Sequence, residues 1–354
     1  MEISFLLEEW YHRLKRDLPW RQTTSPYRIW LSEIILQQTR VNQGLEYYLT
    51  FVARYPEVED LANAPLDEVL KLWQGLGYYT RARNLHATAQ YVARELKGVF
   101  PSSFEGLLKL KGIGNYTAAA IASIAFHEAV AVVDGNVYRV LSRFFGESRP
   151  VNSSAGARVF DVLANRILNR KQPGIHNQAM MELGALVCLP ANPVCNACPL
   201  AALCVAFQTG KTDRFPVKIA KKYARQRYFN YLFIVHDSLT WISQRKGKDI
   251  WHSLYEFPLI ETPGPVQTSD LVLTADWKRI AGDSKYTMND KGRTYRHQLT
   301  HQTIFCNFIY LLADSVDAVP ASGYTTVKLT ELHLYAVPRL IDRYLNDLKQ
   351  EGLL

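Results

Sequence analysis

The chain has 354 residues, 48% of them hydrophobic, and a formal net charge of +8 at pH 7. This apolar content is ample for two packed domains, and the longest apolar stretches are too short to cross a bilayer, so the composition excludes an integral membrane protein. The positive charge favours a polyanionic partner such as nucleic acid. Residues 1–13 predict an amphipathic helix rather than a secretory or mitochondrial leader, so we expect a cytoplasmic, nucleoid-associated protein of prokaryotic type.

The first half of the chain, to about residue 205, has a helical pattern of short segments rich in Leu, Ala and Ile. A helix over residues 27–41 is well started by Ser25 and Pro26. Glu33 interrupts the apolar run of this helix. A carboxyl half-buried among apolar neighbours has a raised pKa and stays partly protonated, so Glu33 is a candidate general acid.

A glycine turn separates the next two predicted helices. Ser102 and Glu105 form a capping box for the first of them, and an alanine-rich stretch over residues 117–126 forms the second. Gly112 and Gly114 permit a tight turn between the two. Such a turn at the start of a helix exposes backbone N–H groups that can hold a DNA phosphate without reading sequence.

A second candidate acid, Asp134, follows the strand-like run 130–133 and precedes a predicted helix over residues 137–145. The helix N-terminus is expected to hold Asp134 ionised. One carboxyl with a raised pKa and one held ionised is the pattern of a general acid beside a stabilising carboxylate. The alternatives are a salt-bridged core residue for Glu33 and an ordinary N-cap for Asp134.

Cys188, Cys195, Cys198 and Cys204 are spaced C-x6-C-x2-C-x5-C, so four thiolates can close around one metal centre. Thiolate-only ligation with uneven spacing suits an iron–sulfur cluster better than zinc, which usually takes two separated C-x2-C pairs. Four reduced cysteines in a loop are the remaining alternative. Cys306 lies in an apolar run and is predicted to be core.

Residues 208–227 are rich in Lys and Arg and predict a basic linker, for which a merely solvated tether is the alternative reading. Beyond them the periodicity changes from helical to extended. An all-α domain over residues 1–207 thus precedes a smaller α+β domain over 228–354. Its predicted elements are strands over 228–235, 239–244, 303–312 and 325–329, the first two joined by a hairpin, and a helix over 337–349.

A glycine hairpin, then an Asp after a short apolar run, then C-x6-C-x2-C-x5-C resembles the helix–hairpin–helix DNA glycosylases related to endonuclease III. Segments 18–21, 32–39, 75–79 and 134–137 are similar to those of the adenine DNA glycosylases, the MutY family. The resemblance implies a 4Fe-4S cluster on the four cysteines. It also implies base excision repair by a monomer on double-stranded DNA that contains A·8-oxoguanine or A·G mispairs.

The resemblance implies roles for individual residues. Glu33 protonates N7 of the extruded adenine. Asp134 stabilises the oxocarbenium ion of the sugar, or forms a transient bond to it, before water attacks. Tyr116 and Asn136 position Asp134 and the attacking water. Bifunctional relatives have a lysine where this chain has Tyr116, so the resemblance implies a monofunctional glycosylase without strong lyase activity.

Further residues take their roles from the same resemblance. Trp20, Arg21 and Glu182 line the adenine pocket. Gln38 and Tyr78 wedge into the duplex around 8-oxoguanine, which offsets part of the few kcal/mol that base flipping costs.

Residues 228–354 resemble, less closely, the Nudix-like C-terminal domain of the same family, whose characteristic W-x-x-L-Y-E-F-P segment is matched by 251–258. No R-E-x-x-E-E magnesium motif follows that segment, so pyrophosphohydrolase activity is not predicted. The family's loop for reading 8-oxoguanine contains Phe-Ser-His. Here Leu299, Thr300 and His301 take its place, with a hydroxyl and an imidazole kept and the aromatic residue replaced.

Two alternative functions stay open. A glycosylase that removes thymine or uracil opposite guanine can also have tyrosine at the hairpin position, although the C-terminal domain argues against it. A DNA-binding iron–sulfur protein without enzymatic activity is the other alternative. Glu33 and Asp134 argue against it, because binding alone needs neither carboxylate.

Overall fold

The computed structural model describes residues 2–220, 225–282, 285–315 and 323–354. The chain forms two compact units, of which Met1–Asn63 and Asn84–Lys221 make up the first and Ala64–Arg83 and Lys222–Leu354 the second. Lys221 and Lys222 of the predicted linker lie outside the described residues. In the described ranges, no helix combines the length and the apolar character that crossing a membrane requires.

Residues 64–83 belong to the second unit, although the sequence pattern predicts one continuous helical domain over 1–207. Polar contacts with the C-terminal part of the chain hold this segment. Lys71 Nζ donates to the Tyr335 carbonyl at 3.2 Å, and Gln74 Nε2 donates to Asp342 Oδ1 at 2.8 Å. Such long-range hydrogen bonds leave no periodic trace in a sequence.

The described residues 2–220 form helices and loops and contain no strand, as the all-α prediction requires, and the run 130–133 is irregular. Helix α5 (Leu66–Leu72) lies in the second unit, and α6 (Thr80–Glu95) begins there and continues into the first. The other helices of the first unit are α1 (Glu2–Leu14), α2 (Pro26–Leu36), α3 (Val41–Arg54), α4 (Val58–Asn63), α7 (Phe104–Leu108), α8 (Asn115–Ala125), α9 (Gly135–Phe145), α10 (Ser154–Ile167), α11 (Pro173–Leu186) and α12 (Val205–Gln208).

Helix α2 starts as predicted, because the Ser25 side chain accepts a hydrogen bond from the Arg28 N–H and Pro26 occupies the first turn. It ends at Leu36 rather than at residue 41. Gln38 has φ +59°, which no α-helix accommodates, so the chain turns before α3.

The glycine hairpin between α7 and α8 is present, with one correction. Ser103, not Ser102, caps α7 by accepting from the Gly106 N–H at 3.1 Å. Gly112 has φ +79°, and a Cβ there would lie 2.7 Å from Asn84 Cβ, so the turn requires glycine at this position. Gly114 is the N-cap of α8.

The second unit is built on one mixed sheet with strand order β3-β2-β1-β6-β5, in which β1 is parallel to β6 and β4 and β7 pair with β1 and β2. The predicted hairpin is present, with Asp237 at φ +51°. The strands are β1 (Arg225–His236), β2 (Leu239–Gln244), β3 (Tyr255–Glu256), β4 (Leu259–Thr262), β5 (Tyr286–Gln298), β6 (Gln302–Ala313) and β7 (Thr325–Lys328), and the helices are α13 (Thr268–Leu271), α14 (Ala275–Ala281) and α15 (Arg339–Gln350).

The two faces of the sheet bury different side chains, because successive residues of a strand alternate between faces. Phe229, Phe233 and Cys306 pack with α15 on one face, which confirms Cys306 as core. Leu232 and Ile234 pack with α13 and α14 on the other. Strand β5 is missing from the sequence prediction. Among the described strands it pairs with β6 alone, and it is mostly polar, as edge strands often are.

Candidate active site

A cavity of about 180 Å³ opens in the first unit. Its walls come from the loop after α1 and from helices α2, α8, α9 and α11. It brings together seven residues that the sequence analysis singled out from widely separated segments. These are Trp20, Arg21, Glu33, Tyr116, Asp134, Asn136 and Glu182.

Glu33 lies on α2 with only 7% of its surface exposed. Burial raises the pKa of Glu33 to about 7. The nearby charge of Asp134 raises this pKa further, whereas a hydrogen bond that favours the ionised form lowers it. That hydrogen bond comes from the Tyr116 hydroxyl, which donates to Glu33 Oε2. No ion pair to Glu33 is present among the described residues, so the salt-bridged alternative is not supported.

Asp134 is the N-cap of α9, and both of its carboxyl oxygens accept a hydrogen bond. Oδ1 accepts from the Val137 N–H at 2.7 Å, and Oδ2 accepts from Asn136 Nδ2 at 2.8 Å. The expected lowering of its pKa is wrong in sign, because burial raises the pKa of Asp134 and outweighs these hydrogen bonds. The N-cap contacts fix the orientation of the carboxylate.

Tyr116 and Asn136 have different partners from each other. Tyr116 donates its hydrogen bond to Glu33, whereas Asn136 contacts Asp134. Arg139 was missed, although it follows Asn136 by three residues on one helix face, a spacing that brings side chains together. Arg139 Nη2 donates to Asn136 Oδ1 at 2.9 Å, and its Nε donates to the Cys188 carbonyl at 2.5 Å.

Glu182 on α11 also lines this cavity, and its pKa is shifted in the opposite direction to that of Glu33. Burial alone would raise its pKa, but hydrogen bonds from Arg21 and Arg16 outweigh burial and hold the pKa of Glu182 at about 2. Glu182 therefore stays ionised and cannot serve as the acid. Arg16 gave no sequence signal, because it lies in a loop with no periodicity. Trp20 packs edge-on against Tyr48, with ring centroids 5.2 Å apart.

The four cysteines of the predicted cluster all border one small cavity beside α9. Arg143 is buried at their edge, donates to Cys188 Sγ at 3.3 Å, and also donates to the Leu189 carbonyl. Within the described ranges, no three His, Cys, Asp or Glu side chains already surround a single point as ligands of a metal ion. The donor set of four thiols with a buried guanidinium fits a thiolate-bound cluster, whose negative charge the arginine offsets.

The residues predicted to contact 8-oxoguanine divide between the units. Gln38 is exposed in the first unit, in the turn after α2. Tyr78, 52% exposed and with φ +49°, lies in the second unit, where its hydroxyl is 2.6 Å from Thr300 Oγ1. Thr300 and His301 are exposed in the turn between β5 and β6.

Gly112 and Gly114 are both exposed at the start of α8, with buried Ile113 between them. The first N–H groups of a helix have no partner within the helix. This end of α8 can therefore donate to a phosphate, and Ile113 anchors the turn in the core.

Comparison with known proteins agrees with this geometry. Residues 31–155 match the family "HhH-GPD superfamily base excision DNA repair protein", and residues 230–347 match "NUDIX domain". The adenine DNA glycosylase of Buchnera aphidicola subsp. Baizongia pistaciae (strain Bp) is 33% identical over 314 residues, 87% of this chain and 85% of that protein. That of Rattus norvegicus is 46% identical over 212 residues, 57% of this chain and 41% of that protein. The solved structure of a thermostable thymine-DNA glycosylase is 30% identical with a TM-score of 0.54, covering 58% of this chain and 95% of that one.

The helical fold, the glycine hairpin and the cavity with its carboxylates define a base-excision DNA glycosylase of the helix–hairpin–helix class. The second unit contains a Nudix-like α+β domain, so both predicted folds are confirmed. The chain belongs to the adenine DNA glycosylase family.

Proposed function

We propose that the protein hydrolyses the N-glycosidic bond of adenine mispaired with 8-oxoguanine or guanine, acting as a cytoplasmic monomer on double-stranded DNA. The observation that carries the proposal is the pair of acids in one cavity, Glu33 with a pKa of about 7 and Asp134 held by two hydrogen bonds. Adenine as a neutral base is a poor leaving group, so its release needs a proton and a stabilised sugar cation.

Glu33 supplies the proton. A carboxyl with a pKa of about 7 is protonated in a large fraction of molecules at neutral pH, where an ordinary glutamate is not. Tyr116 occupies Oε2 as a hydrogen-bond donor, which leaves Oε1 to transfer its proton to N7 of the adenine. Donation by Tyr116 then stabilises the carboxylate that remains.

Asp134 stabilises the positive charge that develops on the sugar as the base leaves. Its hydrogen bonds from Val137 and Asn136 fix the carboxylate before the reaction, so little reorganisation is needed in the transition state. Water near Asp134 and Asn136 then attacks the sugar. Glu182 with its two arginines, and Trp20, form the pocket wall that holds the base.

Cys188, Cys195, Cys198 and Cys204 would hold the 4Fe-4S cluster. Such a cluster supplies covalent cross-links between loop segments, and the hydrolysis itself transfers no electron. Arg139 joins the cluster loop to the site, since it contacts both the Cys188 carbonyl and Asn136.

Reading of 8-oxoguanine is proposed for Gln38, Tyr78, Thr300 and His301. The contact between the Tyr78 and Thr300 hydroxyls supports this assignment, because it joins the predicted wedge to the predicted reading loop within one unit. Gly112 and Gly114 would hold a phosphate.

The test is a panel of duplexes with A·8-oxoguanine, A·G, T·G and A·T, incubated with the protein and then cleaved with alkali. We expect release of adenine from the first two only. Because the thymine-DNA glycosylase structure is 30% identical, removal of thymine from T·G is the outcome that would replace the proposal.

The rate of adenine release should show a bell-shaped dependence on pH. Glu33 must be protonated, so the rate should fall about ten-fold per pH unit above about 7. Asp134 must be ionised, so the rate should also fall in acid, beginning above the ordinary range of an aspartate. Single-turnover rates from pH 5 to 9 measure this, with duplex affinity at constant salt as the control. A flat rate above pH 7 would remove Glu33 from the acid role.

Thr300→Val should lower the preference for A·8-oxoguanine over A·G by about two- to ten-fold, the value of one hydrogen bond. Tyr78→Phe should do the same, and the double variant should lose no more than either single one, because both remove one contact. The measurement is the ratio of single-turnover rates on the two duplexes. Thr325→Val, an exposed change in the same unit, is the matched control. Equal ratios in all four variants would show that this contact plays no part.

The product should be an intact abasic site. Strand cleavage by β-elimination needs an amine to form a Schiff base, and a phenol such as Tyr116 cannot form one. Borohydride should therefore trap little protein on DNA, and strands should stay whole before alkali. Lys111 is exposed beside the glycine turn, and abasic sites react adventitiously with such surface amines, so faint trapping that Lys111→Arg removes is consistent with this prediction. Robust trapping that Lys111→Arg leaves unchanged, together with early strand breaks, would mean that another lysine forms the Schiff base.

A further inference from the structure

The irregular run 130–133 leads directly into Asp134, and its residues Ala131 and Val132 are buried. Consecutive residues of an extended chain direct their backbone N–H and C=O groups to opposite sides. A sheet would pair these groups with neighbouring strands, but the described residues 2–220 contain no strand. Buried backbone polar groups are nearly always paired, so side chains must provide the partners of this run.

Asn177 takes the place of a neighbouring strand on one side of the run. It lies on α11 and is only 2% exposed. Its Oδ1 accepts from the Val132 N–H at 3.0 Å, and its Nδ2 donates to the Val130 carbonyl at 2.9 Å. Nδ2 also donates to Ser123 Oγ at 2.9 Å. Because an N–H only donates and a carbonyl only accepts, the two contacts with the run fix which end of the amide is the oxygen.

A second asparagine supports the opposite side of the run. Asn165 lies on α10, and its Oδ1 accepts from the Ala131 N–H at 3.3 Å. Its Nδ2 donates to the Asp161 carbonyl, one turn earlier on the same helix, at 3.0 Å, which holds the side chain in this orientation. The N–H groups of Ala131 and Val132 thus each have an asparagine acceptor, from two different helices. The run is therefore fixed by side chains on both sides.

Asn177 also ties the run to α8. Ser123, its third partner, lies on α8 and donates to the Ala119 carbonyl at 2.7 Å. Helices α11 and α8 come close together one turn before Asn177, where a Cβ on Gly174 would lie only 2.8 Å from the Ser123 carbonyl oxygen. Helices α8, α9 and α11 all form walls of the cavity, and the run leads into α9. One buried amide group therefore links these three walls.

We propose that Asn177 and Asn165 are positioning residues for Asp134, because they hold the backbone before it and so set where its carboxylate lies relative to the sugar. Neither asparagine lines the cavity, so both act through the main chain. The contacts of Asp134 with α9 fix the orientation of the carboxylate, and the asparagines fix the chain that leads to it. This inference rests on the proposed function. A displacement of about 1 Å in an active site can lower a rate by about 10²-fold.

Single-turnover release of adenine from an A·8-oxoguanine duplex tests the proposal in the full chain. Asn177→Leu has a similar volume but loses every polar partner. It should lower the rate by about 10–10²-fold while duplex affinity changes less than about two-fold. Asn165→Ala removes one contact from a half-buried position and should lower the rate by about two- to ten-fold, the value of one hydrogen bond. This milder variant provides the test if Asn177→Leu does not fold.

Asn177→Asp should restore the rate to within about three-fold of the unsubstituted protein. A carboxyl at this buried position stays protonated, so it can accept from the Val132 N–H and donate to the Val130 carbonyl. Tyr27→Phe is the control for stability. It removes a buried hydroxyl that donates to the Tyr55 carbonyl at 2.8 Å, and neither of these residues lines the cavity. It should lower the thermal unfolding midpoint but change the rate less than about two-fold.

The pH profile separates a positioning role from a general loss of structure. Three ionisable groups on neighbouring helices interact with Asp134, and no variant changes them: Glu33 on α2, Tyr116 on α8 and Arg139 on α9. A looser run weakens the hydrogen bonds that lower the pKa of Asp134. The acid limb of the profile in Asn177→Leu should therefore move to higher pH, while the alkaline limb, set by Glu33, stays in place. A smaller folded fraction would lower the rate without moving either limb.

Two results would overturn the proposal. The first is an unchanged rate in Asn177→Leu and Asn165→Ala while the unsubstituted protein releases adenine normally. The second is a loss of rate that Tyr27→Phe reproduces at the same loss of stability, which would make the asparagines structural only. Failure of the unsubstituted protein to release adenine would instead contradict the proposed function, and this inference would fail with it.

Discussion

Glu33→Gln should lower the single-turnover rate of adenine release by about 10²–10⁴-fold while the affinity for duplex changes less than about two-fold. Gln keeps the size of the side chain and can still accept the hydrogen bond from Tyr116, but it has no proton to transfer. Glu46→Gln, an exposed change in the same unit, is the control and should leave the rate unchanged. A Glu33 variant that kept more than about a tenth of the normal rate would contradict the acid role.

The same substitution should stabilise the fold at alkaline pH. The unfolded chain ionises Glu33 near its ordinary value of 4.5, whereas the folded chain does so at about 7. Between these values the folded state binds more protons, so this group makes the free energy of unfolding fall as pH rises, by on the order of 3 kcal/mol once pH exceeds 7. Gln cannot ionise, so the variant does not lose this free energy of unfolding. Its denaturation midpoint should therefore be higher than that of the unsubstituted protein at pH 8 and the same below pH 4.5.

Glu182 provides a control of opposite sign. Its pKa in the folded chain is about 2, below the ordinary value, so its contribution to stability is present above pH 4.5 and disappears as the pH falls through 2. Glu182→Gln should therefore destabilise the protein at pH 8. If both substitutions moved the denaturation midpoint in the same direction, the assignment of raised and lowered pKa values would be wrong.

Cys198→Ser should give a protein without bound iron that accumulates poorly and unfolds at lower temperature. In the proposed cluster four ligands close one centre, so loss of one thiolate would remove a cross-link between the loop segments around Cys188 and Cys204. Iron and sulfide content, the visible absorption spectrum and the thermal unfolding midpoint measure the effect. Any of this variant that remains soluble should also release adenine slowly, because Arg139 links the Cys188 carbonyl to Asn136 and so to Asp134.

Cys306→Ser is the matched control. The substitution removes the same thiol, but Cys306 is buried in the core of the second unit and is not one of the four proposed ligands. Its loss should therefore leave the iron content unchanged. A Cys198 variant with full colour and unchanged stability would contradict the cluster. A zinc content near one per chain in the unsubstituted protein would replace the cluster with a zinc site.

Much of the fold can be predicted from the sequence, because many helices and strands have strong local signals. Ser25 and Pro26 start α2, and the β-rich run 239–244 after the hairpin turn marks β2, each through interactions within a few residues. Strand β5 was missed because an edge strand needs no apolar alternation. The place of residues 64–83 in the second unit was missed for a different reason. Hydrogen bonds to carbonyls more than 250 residues away, such as that of Lys71, have no counterpart in local pattern.

The site shows the same division. Glu33 and its raised pKa follow from an acid in an apolar helix face, which is visible in the sequence. The sign of the Asp134 shift is not, because it depends on how far burial outweighs the N-cap hydrogen bonds. The partner of Tyr116 is likewise decided by the tertiary packing of α2 against α8. The hydrogen bonds between Arg16 and Glu182 depend on tertiary packing too, because the two residues lie far apart in the sequence.

Gln38 and Tyr78 have φ values of +59° and +49°, in the left-handed region that side chains with a Cβ avoid. Each such residue costs about 1–3 kcal/mol, and glycine would relieve it. An engineering effort to make this protein more heat-resistant would therefore find both positions attractive. Yet glycine there would remove the two side chains proposed to enter the duplex. Under the proposed roles, thermal tolerance and lesion discrimination compete at these two residues, and directed evolution for the first should erode the second.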